Sequence, residues 1–125
     1  MPARVRGLLP ILLLAWVTLC WAGSHDWHGS VPGKARLRDN PLASDPQAAA
    51  AGAKLFQQHC AQCHGADATG RPGRPSLRSH RVRLATPGEL EWLLTNGSLR
   101  NGMPSWSRLP EPQRWQIVTY LKSLQ

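Results

Sequence analysis

Cys60-Ala61-Gln62-Cys63-His64 is the stretch on which the reading of this chain turns. Two thiols separated by two residues can reach the two vinyl groups on one edge of a porphyrin and form thioethers. A histidine directly after the second cysteine is then carried under the iron as proximal axial ligand. Three other chemistries use parts of the pattern. A thioredoxin-like dithiol opens a helix beside a βαβ unit, whereas this pair follows an alanine-rich helical stretch with little strand signal upstream. A structural zinc site wants four ligands, and Cys20 is the only further cysteine. A plain disulfide between Cys60 and Cys63 leaves His64 without a reason.

Working outward, Ala51-Gly52-Ala53-Lys54-Leu55-Phe56-Gln57-Gln58-His59 leads into the motif, and Asn101-Gly102-Met103-Pro104 and an amphipathic C-terminal run follow it. Over roughly residues 46–125 the chain resembles the class I cytochromes c. The resemblance implies an all-α fold, a small cytochrome c domain of three to four helices packed around one covalently attached haem c. It also implies attachment of that haem outside a bacterial cytoplasmic membrane.

Composition agrees with a domain that needs a staple. Of 125 residues, 42% are hydrophobic, part of them in an N-terminal block, and Phe and Tyr occur once each. A globule of about 80 residues has a marginal core, and a buried macrocycle reinforces it. Arg4 and Arg6 precede the apolar run Leu8 to Leu19, the pattern of a secretory signal too short for a confident membrane span. Residues 1–22 are therefore predicted to be a signal peptide, with cleavage near Ala22 removing Cys20. The mature protein is expected to be soluble in the periplasm, with membrane anchoring as the alternative.

Residues 23–43 are rich in Gly, Pro and polar side chains and read as an extended arm, in which Lys34 to Arg38 can make one turn. It is either a disordered leader or a strap packed through Trp27, Val31, Leu37 and Leu42. The haem domain is predicted over 44–125. Ser44 or Asp45 caps a helix with Pro46 in its first turn, and Gly52 interrupts it at a cost of about 1 kcal/mol against alanine. The resemblance explains that glycine as the place where the C-terminal helix crosses, with Phe56 meeting Ile117 and Tyr120. Thr86-Pro87-Gly88-Glu89 is a capping box, and Asn96-Gly97 ends that helix. Glu111-Pro112 starts the last one, with Ile117, Val118, Leu121 and Leu124 at helical spacing.

A proximal histidine needs an acceptor on its other ring nitrogen. The resemblance assigns that role to the Pro75 carbonyl and sets Leu77 against the haem. Once the leader is removed, Met103 is the only methionine, in a Gly-Met-Pro turn that makes poor sense as core filler. Thioether sulfur is a standard sixth ligand in cytochromes c, so Met103 is predicted as the distal axial ligand, with His80 as the alternative. His59 is aimed wrongly by its place in the chain. Trp106 is expected to cover the haem edge.

The formal charge is +8, falling to +6 without Arg4 and Arg6. Arg71, Arg74, Arg78, Arg81 and Arg83 crowd one loop without interleaved aromatics, which disfavours nucleic acid. They are expected to neutralise haem propionates and to steer acidic redox partners. No nucleophile or general base stands out. The sequence reads as an electron carrier, with a haem subunit of a larger oxidase or dehydrogenase, or a haem sensor with an open sixth site, as alternatives.

Overall fold

The computed structural model describes residues 26–125. The predicted leader, Cys20 and the first residues of the arm lie outside the described residues. Six α-helices follow in order: α1 Gly33–Arg36, α2 Pro46–His59, α3 Ala61–His64, α4 His80–Leu84, α5 Pro87–Asn96 and α6 Glu111–Ser123. Three are long enough to build a core, α2, α5 and α6. Short 3-10 turns occupy Trp27–Ser30 and Leu99–Asn101, and the only β-pairing among the described residues is two isolated bridges. The all-α expectation stands.

The helix starts follow local chemistry. Of the two candidate caps for α2, Asp45 acts: its side chain accepts from the Gln47 N–H at 2.9 Å, ahead of Pro46 at the first helical position. Thr86 and Glu89 complete the capping box of α5, with Glu89 N donating to Thr86 Oγ1 at 3.1 Å and Thr86 N to Glu89 Oε2 at 2.8 Å.

α2 and α6 cross at Gly52. A Cβ there would stand 1.9 Å from the Gln116 carbonyl oxygen and 2.9 Å from Tyr120 Cβ, so the crossing is backbone on backbone. The nearest atom belongs to Gln116, where Ile117 was expected, because the Ile117 side chain turns into the core beside Val118. Phe56, fully buried, meets Tyr120 with ring centroids 5.3 Å apart. Burying the Phe56, Ile117 and Val118 side chains stabilises the fold by about 1.5–3 kcal/mol each.

The arm is folded, in α1 and the turn before it. Val31 is buried, and Trp27 and Leu42 pack against the core cluster. Leu37 is 84% exposed, against expectation, because Arg36 and Arg38 on either side both turn inward to carboxylates of α5. At Gly88 a Cβ would stand 2.0 Å from the Ala35 carbonyl oxygen. The arm's backbone therefore lies directly on the first turn of α5.

Candidate functional site

α2 ends where the two-cysteine turn begins. Cys60 closes α2, its N–H donating to Phe56 O at 2.8 Å, and its own carbonyl accepts from Cys63 N at 3.1 Å and His64 N at 2.9 Å. One tight turn, α3, thus holds Cys60, Cys63 and His64 on the wall of a single cavity. The loop after it folds back under His64: Gly70 N donates to His64 O at 2.7 Å and Leu77 N to Ala68 O at 2.8 Å. This brings Pro75 O to 2.9 Å from His64 Nδ1. A carbonyl can only accept, so the hydrogen bond requires the proton on Nδ1, which leaves the Nε2 lone pair for a metal.

Met103 comes from the turn after α5. Ser98 and Met103 pair through their backbones, at 2.9 Å and 3.1 Å, around the Leu99–Asn101 turn. Gly97 takes a φ of +71°, and a Cβ there would meet Pro104 and Ser105 backbone at 2.7 Å, so glycine is needed for the turn to close. Trp106 follows, its N–H on Leu94 O at 2.7 Å. The Arg108 guanidinium stands 4.2 Å over its ring, and the His59 ring is tilted against it at 5.3 Å.

All seven residues singled out in the sequence, Cys60, Cys63, His64, Pro75, Leu77, Met103 and Trp106, line one cavity of about 750 Å³. That volume lies within the usual range for cofactor sites, about 300–1,000 Å³. Phe56, Leu90, Leu94, Ile117 and Leu121 supply apolar walls; Arg74 and Arg81 are its only formal charges, and no carboxylate lines it among the described residues. An apolar slot with cationic edges suits a flat macrocycle bearing two acid side chains. The residues present fit a haem.

The competing chemistries fit worse. Burial, and secondarily the neighbouring Cys63, push the Cys60 thiol up to about 12, whereas a redox-active dithiol relies on a lowered value. No three His, Cys, Asp or Glu side chains gather into a metal-binding group among the described residues, too few for structural zinc. His80, the alternative sixth ligand, is exposed and outside the cavity lining.

Three further residues line the cavity: His59, which its place in the chain suggests is aimed wrongly, Arg74, one of the arginines expected near the propionates, and Trp27, expected only to pack the arm. His59 faces the cavity against Trp106, because the bend at Cys60 turns the end of α2 toward the site. Arg74 reaches across to Gly102, its Nη1 lying 2.9 Å from where a Cβ would be, and so spans the loops bearing Pro75 and Met103. Trp27 enters from the arm, and a lone aromatic in a Gly- and Pro-rich stretch was the signal for it. The basic loop does not form one uniform patch. Arg78 is spent internally, donating to Asp67 O at 2.7 Å and Leu124 O at 3.3 Å, and Arg81 stands 3.6 Å from Asp26. Arg71, Arg74 and Arg83 remain exposed.

Comparison with known proteins follows the same span. The family model described as cytochrome C oxidase, cbb3-type, subunit III, matches residues 47–121. The cbb3-type cytochrome c oxidase subunit CcoP of Rubrivivax gelatinosus is 34% identical over 82% of this chain and 40% of its own length. FixP of Sinorhizobium medicae is 35% identical over 66% of this chain and 34% of its own. The chain thus spans well under half of those oxidase subunits. Cytochrome c550 of Pseudomonas aeruginosa is 30% identical over 96% of this chain and 93% of its own length. The solved structure of cytochrome CL from Methylophaga aminisulfidivorans matches with a TM-score of 0.60 at 26% identity, over 68% of this chain and 58% of that one. Because the matched span runs from the first turn of α2 into the last turn of α6, and so holds both the two-cysteine turn and Met103, the chain belongs to the class I c-type cytochromes, whose cofactor is covalently bound haem c.

Proposed function

We propose that this chain carries single electrons between larger redox proteins, with Cys60 and Cys63 as the thioether-forming thiols and His64 and Met103 as the axial ligands of one haem c. The observation that supports it most directly is the 2.9 Å contact between His64 Nδ1 and Pro75 O, in a cavity whose lining also includes Met103. When bound, the haem supplies the ferric/ferrous couple. The Pro75 carbonyl fixes the His64 ring and raises its basicity. With the haem bound, the Met103 sulfur would favour the ferrous state and close the sixth position to exogenous ligands. Leu77, Leu90 and Leu94 keep water from the site, and Arg74 and Arg81 balance propionate charge. With His64 and Met103 as its axial ligands, a bound haem would offer no open position to a substrate, which favours a carrier over an enzyme in its own right.

Residues 1–22 act as an export signal, 23–43 form the arm and 44–125 the haem domain, which works in the periplasm. No described helix is long and apolar enough to cross a membrane. Arg74, Arg100 and Arg108, all exposed, surround the Met103–Trp106 side of the cavity and steer acidic docking surfaces toward it. Steering of this kind weakens with salt: electron-transfer rates should fall as ionic strength rises, and rates flat with salt would exclude it.

A second reading is favoured by the oxidase-subunit relatives: a haem subunit bound to a membrane complex. Co-purification with a membrane oxidase from the native host separates it from a free carrier. The test of the haem assignment is expression in a host able to mature c-type cytochromes. The product should weigh its polypeptide plus one haem and show the weak ferric sulfur-to-iron band at the red edge of the visible spectrum, lost in Met103→Ala. A colourless protein of polypeptide mass would overturn the assignment.

A further inference from the structure

The arm is tied to α5 more elaborately than a leader requires. All three nitrogen groups of Arg36 are used: Nε donates to Val31 O at 3.2 Å, Nη2 to His28 O, and Nη1 to Glu89 Oε1 at 2.7 Å. One guanidinium thereby gathers two arm carbonyls and a carboxylate whose side chain is 7% exposed. Glu89 also caps α5, and Thr86 Oγ1 donates to the Arg36 carbonyl at 2.9 Å. Arg38 repeats the arrangement two residues along, donating to Glu91 at 3.0 Å and to Glu111. Asn40 Nδ2 donates to Thr119 Oγ1 at 2.8 Å on α6. A buried carboxylate left without its cation is strongly destabilising, so the arm and α5 hold one another in place.

What this latch positions is Trp27. Its ring stacks on His28 at 3.8 Å. It lines the cofactor cavity and also a recess of about 410 Å³ shared with Trp92, Ser98, Leu99 and Arg100. Ser98 is the residue whose backbone pairs with Met103. Trp27 thus borders both the cavity and the recess beside the turn that holds the distal sulfur.

We propose that Trp27 is a positioning residue for the distal ligand, a wall of the haem pocket supplied by the arm and held there by the Arg36–Glu89 latch. This rests on the haem assignment above. With the Trp27 side chain removed, the Met103 turn loses its backing and water reaches the haem edge. Both changes favour the ferric state and ease displacement of the sulfur.

The test uses the full-length matured holoprotein. Trp27→Ala should keep its haem mass and colour, show a lower midpoint potential, and bind imidazole at the ferric iron about tenfold more tightly, the scale of a lost support around a metal site. Trp27→Phe should return both readouts most of the way to the parent, and Arg36→Met should shift them in the same direction. If Trp27→Ala fails to mature, native-state hydrogen exchange of the parent decides: the Val31, Ala35 and Arg38 amides should be protected. A red parent whose arm amides exchange freely, or a red Trp27→Ala with the parent's potential and imidazole affinity, overturns the inference and leaves the haem assignment intact. A colourless parent overturns the haem assignment first.

Discussion

Two junctions of this molecule turn on a glycine, and they are built of opposite materials. At Gly52, α2 and α6 press backbone to backbone inside an apolar seam of Phe56, Ile117 and Tyr120. At Gly88 the arm presses on α5 just as closely, but its surroundings are ion pairs: Arg36 on Glu89, and Arg38 and Arg114 on Glu91. Apolar contact is non-directional, so the first seam forms wherever two such faces meet. The second forms only if every charge finds its partner, since a buried carboxylate left alone is costly. The first junction shapes the cavity, and the second attaches an additional wall to it.

The largest effect expected separates the two. Gly52→Leu has no room within 1.9 Å of the Gln116 carbonyl, and should yield no folded, haem-bearing domain by circular dichroism and absorbance; a stable red variant would break the account of the crossing. At the polar junction, Arg114→Met leaves Glu91, 4% exposed, with Arg38 of the arm as its only cation. The loss should be about 3 kcal/mol in denaturant unfolding. Adding Glu91→Leu should recover much of it, since replacing both members of a buried pair is far milder than removing one. Gly88→Ala should cost about 1–3 kcal/mol through overpacking against Ala35, with faster amide exchange at Arg38 and unchanged exchange in α2 and α6. Equal loosening of all three segments would mean that the two junctions are not independent.

The smallest effect lies in the loop under His64. Asp67 accepts from the Thr69 hydroxyl at 2.7 Å and the Thr69 N–H at 3.1 Å, and these bonds hold its carboxyl below the ordinary value of 3.8. A lowered folded value means that the stabilisation is complete above 3.8 and is lost as pH falls through that lower value. Asp67→Asn should therefore cost slightly at pH 7, and the difference from the parent should shrink on acidification below pH 3.8. A penalty constant with pH would assign the effect to geometry and not to charge.

Legibility in the sequence followed this division. Gly52, Phe56 and the α6 stripe were readable because apolar periodicity survives in one dimension, and the capping box of α5 because its partners are three residues apart. The Arg36–Glu89 and Arg38–Glu91 pairs each span 53 residues, and nothing local marks one arginine for a carboxylate that distant. The basic loop was legible only in part for the same reason: Arg74 and Arg81 line the cavity, as the loop's charge led one to expect, but Arg78 goes to the C-terminus and Arg81 also pairs with Asp26.

The sequence by itself determined the chemistry of the two-cysteine turn, the all-α class and the candidacy of His64 and Met103, because covalent spacing, helical period and residue scarcity are properties of a string. Only the tertiary structure decided that Pro75 O meets His64 Nδ1, that Arg74 spans both ligand-bearing loops, and that Trp27 walls the pocket. Those contacts join segments far apart along the chain, and they exist only once the helices have packed and brought a donor, a cation or a ring within a few ångströms of its partner.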